Sequence, residues 1–208
     1  MSRIYLDNAA TSWPKPESVY LALDQTQRNV GVSAARGGYS SSALAGKIIK
    51  QTRQSVGALI GADDASRVAL TSGCTDSLST AIFGFLKQGD HAITTVADHN
   101  SVVRPLIHLR DTGLIELTIV GCDGEGLVKA SDVSDAITAQ TKLVAVTHAS
   151  NVLGTIQPVE EIGKMCAENK VAFLLDAAQT LGHTPINIKS IGCQFLAAAG
   201  HKLSLIHI

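Results

Sequence analysis

The sequence predicts an α/β protein in which a mostly parallel sheet is flanked by helices. Three observations carry this. From Arg67 onward, strand-like apolar runs alternate with segments of helix length. Those runs, Leu143-Val144-Ala145-Val146 and Val171-Ala172-Phe173-Leu174-Leu175 among them, are continuously apolar, as in strands covered on both faces. The 208 residues are 45% hydrophobic and 17% charged, enough to bury the core of one large domain.

Composition also excludes function classes. Net charge is -1 and no Lys/Arg cluster is present, which argues against nucleic acid or a membrane surface as partner. The longest apolar runs are of strand length, too short to span a bilayer. Met1-Ser2-Arg3-Ile4-Tyr5 leads directly into a strand-like run without a signal-peptide pattern, so a cytoplasmic setting is expected. Cys74, Cys122, Cys166 and Cys193 are far apart with no C-x-x-C pair. They read as free thiols in a reducing compartment, with no disulfide framework and no metal site.

In chain order, Tyr5-Leu6-Asp7-Asn8-Ala9-Ala10-Thr11 reads as a short strand breaking into a polar turn. The Pro-rich Trp13-Pro14-Lys15-Pro16-Glu17 leads into a predicted helix over 18–29. Residues 31–42 are rich in Gly and Ser and carry Arg36, which suits either an anion-bordering loop or a plain connector. A helix over 43–60 places Leu44, Ile48, Val56 and Leu59 toward the core. Strands are then predicted at 68–70, 91–96, 115–120, 143–147, 171–175 and 195–199. Helices are predicted between them at 75–86, 101–111, 131–139 and 159–169.

In open parallel sheets, ligands bind outside the carboxyl ends of the strands, so those ends are where chemistry is sought. After 68–70 comes Thr71-Ser72-Gly73-Cys74-Thr75-Asp76. There Gly73 would permit a tight turn, and the first N–H groups of the helix with a Thr hydroxyl would make a phosphate seat; an ordinary helix cap explains the same residues. No P-loop lysine is present, which counts against ATP or GTP. His99, in Asp98-His99-Asn100-Ser101, suits stacking on a flat cofactor or proton transfer, and equally a hydrogen bond at a helix start. Asn151 offers an amide to a ring substituent or simply precedes a turn. Asp176 and Gln179 follow one apolar strand, and His201 and Lys202 follow another. A strand-end carboxylate beside a desolvated lysine suits pyridoxal phosphate (PLP), the lysine forming the Schiff base and the acid pairing with the pyridinium nitrogen. The alternative is that Asp176 caps a helix and Lys202 is solvated.

Six motifs in order resemble the class V aminotransferase-like, PLP-dependent enzymes, nearest the cysteine desulfurase branch. They are Tyr5-Leu6-Asp7-Asn8-Ala9-Ala10-Thr11, Thr71-Ser72-Gly73-Cys74-Thr75, Asp98-His99-Asn100-Ser101, His148-Ala149-Ser150-Asn151-Val152-Leu153-Gly154-Thr155, Asp176-Ala177-Ala178-Gln179 and Gly200-His201-Lys202. The resemblance implies the fold type I PLP-dependent transferase fold. It implies that Lys202 holds PLP covalently and moves protons at the substrate α carbon, that Asp176 keeps the ring nitrogen protonated, and that His99 stacks on the ring and assists proton transfer. Asn151 and Gln179 are implied near the ring hydroxyl, and Cys74 (through its backbone), Thr75 and His201 at the phosphate. The implied reaction takes sulfur from L-cysteine, giving L-alanine and an enzyme persulfide that serves a sulfur-acceptor protein, in a homodimer. Selenocysteine lyase, epimerase and aminotransferase activities, or a non-catalytic PLP-binding role, are the alternatives.

The chain departs from that pattern twice. Ala199 stands where many relatives carry a Ser or Thr phosphate ligand. After Lys202 the residues Leu203-Ser204-Leu205-Ile206-His207-Ile208 do not match the family's Gly- and Pro-rich turn. Residues 1–202 are therefore expected to be the N-terminal segment and most of the large PLP-binding domain, and 203–208 an atypical tail from truncation or artefact. The implied carboxylate-gripping arginine and nucleophilic cysteine match nothing here, so the chain as given is expected to be inactive. An apolar edge at Phe195 and Leu196 is expected to be exposed.

Overall fold

The computed structural model describes residues 4–34 and 37–203. Arg36 and the tail from Ser204 lie outside them, so the arginine of the anion-bordering loop and most of the atypical tail are not described. Five strands, β1 (Asp90–Thr95), β2 (Ile115–Val120), β3 (Thr141–Thr147), β4 (Ala172–Asp176) and β5 (Phe195–Ala197), form one parallel sheet in the order β2-β1-β3-β4-β5. Helices α3 (Cys74–Phe85), α4 (Asn100–Asp111), α5 (Ala130–Asp135), α6 (Val159–Glu168) and α7 (Ile188–Ile191) lie between or before the strands. Two further helices, α1 (Glu17–Asn29) and α2 (Ser40–Ile60), precede them.

The apolar strands are explained by the two cores. Ala92, Leu143, Ala145 and Leu174 pack with Leu78 and Ile82 of α3 and Val102 and Leu106 of α4. Their sequence neighbours Ile93, Val144, Val146, Phe173 and Leu175 pack with Val133 of α5 and Ile162 of α6. Successive strand residues point to opposite faces, so a strand with helices on both sides must be apolar at every position.

The helical expectation for α2 is corrected in its facing. Leu44 and Leu59 are exposed, Ile48 and Val56 are half-buried, and Ser42, Ala45, Gly57 and Ile60 face inward. Residues 5–7 and 68–70 lie in no regular element and pair with no strand of the described sheet, so two predicted strands are not formed among the described residues. A short apolar run satisfies a strand pattern, but without a neighbouring backbone it makes no ladder. The edge strand β5 is better covered than expected: Phe195 stacks edge-on against Phe85 at 5.3 Å between centroids, and Leu196 packs against the α5/α6 core.

A close approach fixes α6 against α7. A Cβ on Gly163 would run into the carbonyl of Ile191, with Phe173 behind it, so only the missing side chain lets the two helices meet. Gly163→Ala is expected to lower stability by about 1–3 kcal/mol or more through overpacking, read as a lower urea midpoint with an unchanged slope.

Candidate active site

The parallel registry brings the strand ends level. Thr147 pairs with Asp176, and Asp176 with Ala197. The loops leaving β1, β3, β4 and β5 therefore open onto one edge, at the point where the strand order reverses between β1 and β3. Crevices of open α/β sheets lie at such switch points. A cleft of about 340 Å³ occupies this place and is lined by Cys74, Thr75, His99, Asn151, Asp176, Gln179, His201 and Lys202. All eight candidate residues, spread over 129 positions of sequence, meet in it.

Asp176 is 3% exposed at the end of β4. Its Oδ1 accepts from the Ala178 N–H at 3.0 Å and from the Cys74 thiol at 3.6 Å, while Oδ2 takes no hydrogen bond among the described residues. Burial pushes its carboxyl above the usual range, opposed by those two donors and by the nearby His99 and Lys202 charges. The Cys74 thiol is pushed up to about 12, chiefly by burial and then by the Asp176 charge. Lys202 sits on a short 3-10 turn, Gly200–Lys202, after β5. Its ammonium makes no ion pair within the described residues.

The seat at the start of α3 differs from expectation in one respect. Gly73 has φ 165°, an extended backbone open to any residue, so it does not make the tight turn expected of it. Asp76 turns its carboxylate back to Ser72, accepting from the N–H at 3.2 Å and the hydroxyl at 3.1 Å. This leaves Thr75 facing the cleft, with its Oγ1 2.8 Å from Ser101 Oγ. His99 caps α4, its Nδ1 accepting from the Ser101 N–H at 3.2 Å.

Across the cleft the N-terminal segment is strapped to the lysine turn. The His201 carbonyl accepts from Thr11 Oγ1 at 3.0 Å, Ser12 Oγ at 3.1 Å and Lys15 Nζ at 2.6 Å. Gln179 donates its amide to the Ala9 carbonyl at 3.0 Å, so one of its donors is committed to the strap. Burial and the Lys202 and Lys15 cations lower the pKa of His201, keeping its ring neutral. Asn151 lies on an exposed turn, held by Ser150 Oγ accepting from the Val152 and Leu153 N–H groups at 3.2 Å.

Three contributors were missed in the sequence. Lys15 and Ser101 carry no signal beyond ordinary polar residues near turns. Asp98 follows a strand and precedes a helix, a position that could have been read as a strand-end anchor. Its Oδ2 accepts from Thr94 Oγ1 at 2.8 Å, Thr95 N at 2.7 Å and Thr95 Oγ1 at 2.9 Å, and its Oδ1 from the Thr147 N–H. The residue is half-buried, but four donors enclose the carboxylate and tie β1 to β3.

A family profile described as Aminotransferase class-V matches residues 4–204. The chain belongs to the class V aminotransferase family. Among its class V relatives, a probable cysteine desulfurase of Pyrococcus abyssi is 36% identical over 96% of this chain and 50% of its own length. The cysteine desulfurase IscS of Clostridium botulinum is 33% identical over 96% and 50%. The solved apo cysteine desulfurase of Thermococcus onnurineus NA1 superposes with a TM-score of 0.88 at 35% identity, covering 95% of this chain and 50% of that one. SspA, solved in complex with cysteine, gives 0.89 at 29% identity, covering 95% and 57%. The chain thus spans about half the length of the curated relatives it matches.

Burial raises the Asp98 carboxyl to about 6, against the pull of its four donors. Between the usual carboxyl value near 4 and about 6, the folded state keeps a proton that the unfolded chain has lost. Stability therefore falls as pH rises through that window. Asp98→Asn cannot titrate, so the wild type's advantage over it should be larger at pH 4 than at pH 7, by on the order of 2–3 kcal/mol, measured by urea unfolding at both pH values.

Proposed function

We propose that this chain carries the cofactor site of a PLP-dependent cysteine desulfurase, acting on L-cysteine. The observation that carries the reading is a buried carboxylate and a lysine without an ion pair among the described residues, following adjacent parallel strands, in a protein whose relatives are named cysteine desulfurases. The donor set fits the cofactor. Among the described residues Asp176 Oδ2 accepts no hydrogen bond and its carboxyl makes no ion pair, so a protonated pyridine nitrogen would meet the need that burial creates. The α3 N-terminus, with the Cys74 and Thr75 N–H groups and the Thr75 hydroxyl, suits the phosphate, and His201 would lie beside it. Ala199 offers no hydroxyl, so this seat depends more heavily on Thr75.

When bound, PLP supplies an electron sink for the carbanion left as a proton leaves the amino-acid α carbon. Lys202 would hold the cofactor and serve as the base that carries that proton. The strap on the His201 carbonyl fixes the backbone from which Lys202 reaches. His99 would stack on the cofactor and assist proton transfer, its Nδ1 already occupied by Ser101. Asn151 and the remaining Gln179 donor would contact the ring hydroxyl. A homodimer, a cytoplasmic setting and a sulfur-acceptor protein belong to the same reading.

No cysteine of this chain is placed to take the sulfur. Cys74 lines the cleft, but a thiol at about 12 leaves roughly one thiolate in 100,000 at pH 7. Cys166 is in the α6 core, Cys193 precedes β5 at the far edge of the sheet, and Cys122 is outside the cleft.

Two outcomes test this. Borohydride reduction after PLP loading should leave the pyridoxyl group on Lys202 by peptide mapping; label on another lysine, or none, rejects the assignment. With L-cysteine added, the chain should release alanine no faster than its Lys202→Ala variant. Release clearly above that blank would show that a cysteine present here, or an external thiol, serves as acceptor.

A further inference from the structure

Ser101 is used by neither the fold's cores nor the roles assigned above, yet it sits between two of the site's groups. Its hydroxyl is 2.8 Å from Thr75 Oγ1 and 2.8 Å from His99 Nδ1, and its N–H donates to the same Nδ1 at 3.2 Å. It is 9% exposed, at the second position of α4, so little water competes for these contacts.

The directions of these bonds follow from the donors available. Nδ1 accepts from the Ser101 N–H and so carries no proton; the proton of the neutral ring is on Nε2. A hydroxyl 2.8 Å from an unprotonated ring nitrogen is attractive only if it donates. The Ser101 oxygen is then left to accept, and the Thr75 hydroxyl is the group that donates to it. The chain runs one way, from Thr75 through Ser101 to His99. An anion at the α3 N-terminus would draw on the same Thr75 hydrogen, withdraw a donor from Ser101 and alter the bond that Ser101 makes to the imidazole.

We propose that Ser101 is a positioning residue that holds the His99 tautomer through its N–H and, through its hydroxyl, couples the ring to occupancy of the anion seat beside Thr75. The seat and the imidazole are then one unit, in which the ring is presented with Nε2–H to the cleft and senses when an anion arrives. The inference rests on the proposed function only for the claim that the natural anion is a phosphate ester.

The test uses the whole chain, free of cofactor, with ¹⁵N-labelled histidine and inorganic phosphate as the probe. At about pH 8.5, above the usual imidazole range, the wild type should show His99 as the Nε2–H tautomer alone, and phosphate should move its Nδ1 resonance. Ser101→Ala keeps the backbone N–H on Nδ1 and so should keep the tautomer, but without the hydroxyl it should lose more than half of the phosphate-induced shift. Ser101→Thr, which keeps the hydroxyl, should restore the shift, and amide spectra of all three report that they fold alike. A Ser101→Ala protein that keeps the full phosphate shift overturns the proposal, as does a wild type whose Nδ1 is protonated or ignores bound phosphate. Lys202 labelling without these changes would sink this inference and leave the cofactor assignment standing; the changes without Lys202 labelling would do the reverse.

Discussion

The site depends on the level ends of three parallel strands. Because Thr147, Asp176 and Ala197 are neighbours across β3, β4 and β5, residues leaving those strands begin from the same height on the sheet. Backbone ladders set this alignment, and the two cores hold it by packing each strand from both sides. Asp98 extends the alignment to β1, by accepting from the N–H of Thr147 and the hydroxyls of Thr94 and Thr95. A slip of one residue would turn every buried side chain to the opposite face and remove Asp176 from the cleft.

Within that frame the polar groups are held by one another. Cys74 donates to Asp176, Thr75 and His99 meet at Ser101, and Gln179 reaches the N-terminal segment at Ala9. The His201 carbonyl gathers Thr11, Ser12 and Lys15 immediately before the lysine. Side chains fixed in this way lose less freedom when a ligand arrives, which favours tight and oriented binding. The groups left without a partner among the described residues, the Lys202 ammonium and one oxygen of Asp176, are the ones whose chemistry calls for a ligand.

Much of the fold was legible because the physics is local. Continuous apolar runs at 143–146 and 171–175 announce strands covered on both faces, and β2 was predicted with its observed bounds. The runs at 5–7 and 68–70 failed because two or three apolar residues meet the pattern of a strand without supplying a second strand to pair with. Leu44 and Leu59 failed because helical periodicity names a face but not the neighbour that covers it; the inward face of α2 is instead made of small residues and Ile60. Gly73 was read as a turn former, yet it is extended, and its identity as glycine does not reveal its torsion.

The sequence by itself determined the kinds of group that chemistry at the strand ends would use: an acid after one apolar run, a lysine after another, and hydroxyls at helix starts. Residue type fixes what a group can donate, accept or ionise, and strand ends are visible where apolar runs stop. Only the tertiary structure decided that these groups share one cleft, that Asp176 is buried beside a thiol, and that Ser101, Lys15 and Asp98 join distant segments. Those facts depend on strand order and registry, which arise from backbone hydrogen bonds between residues far apart in the chain and leave no mark on the spacing of the residues they bring together.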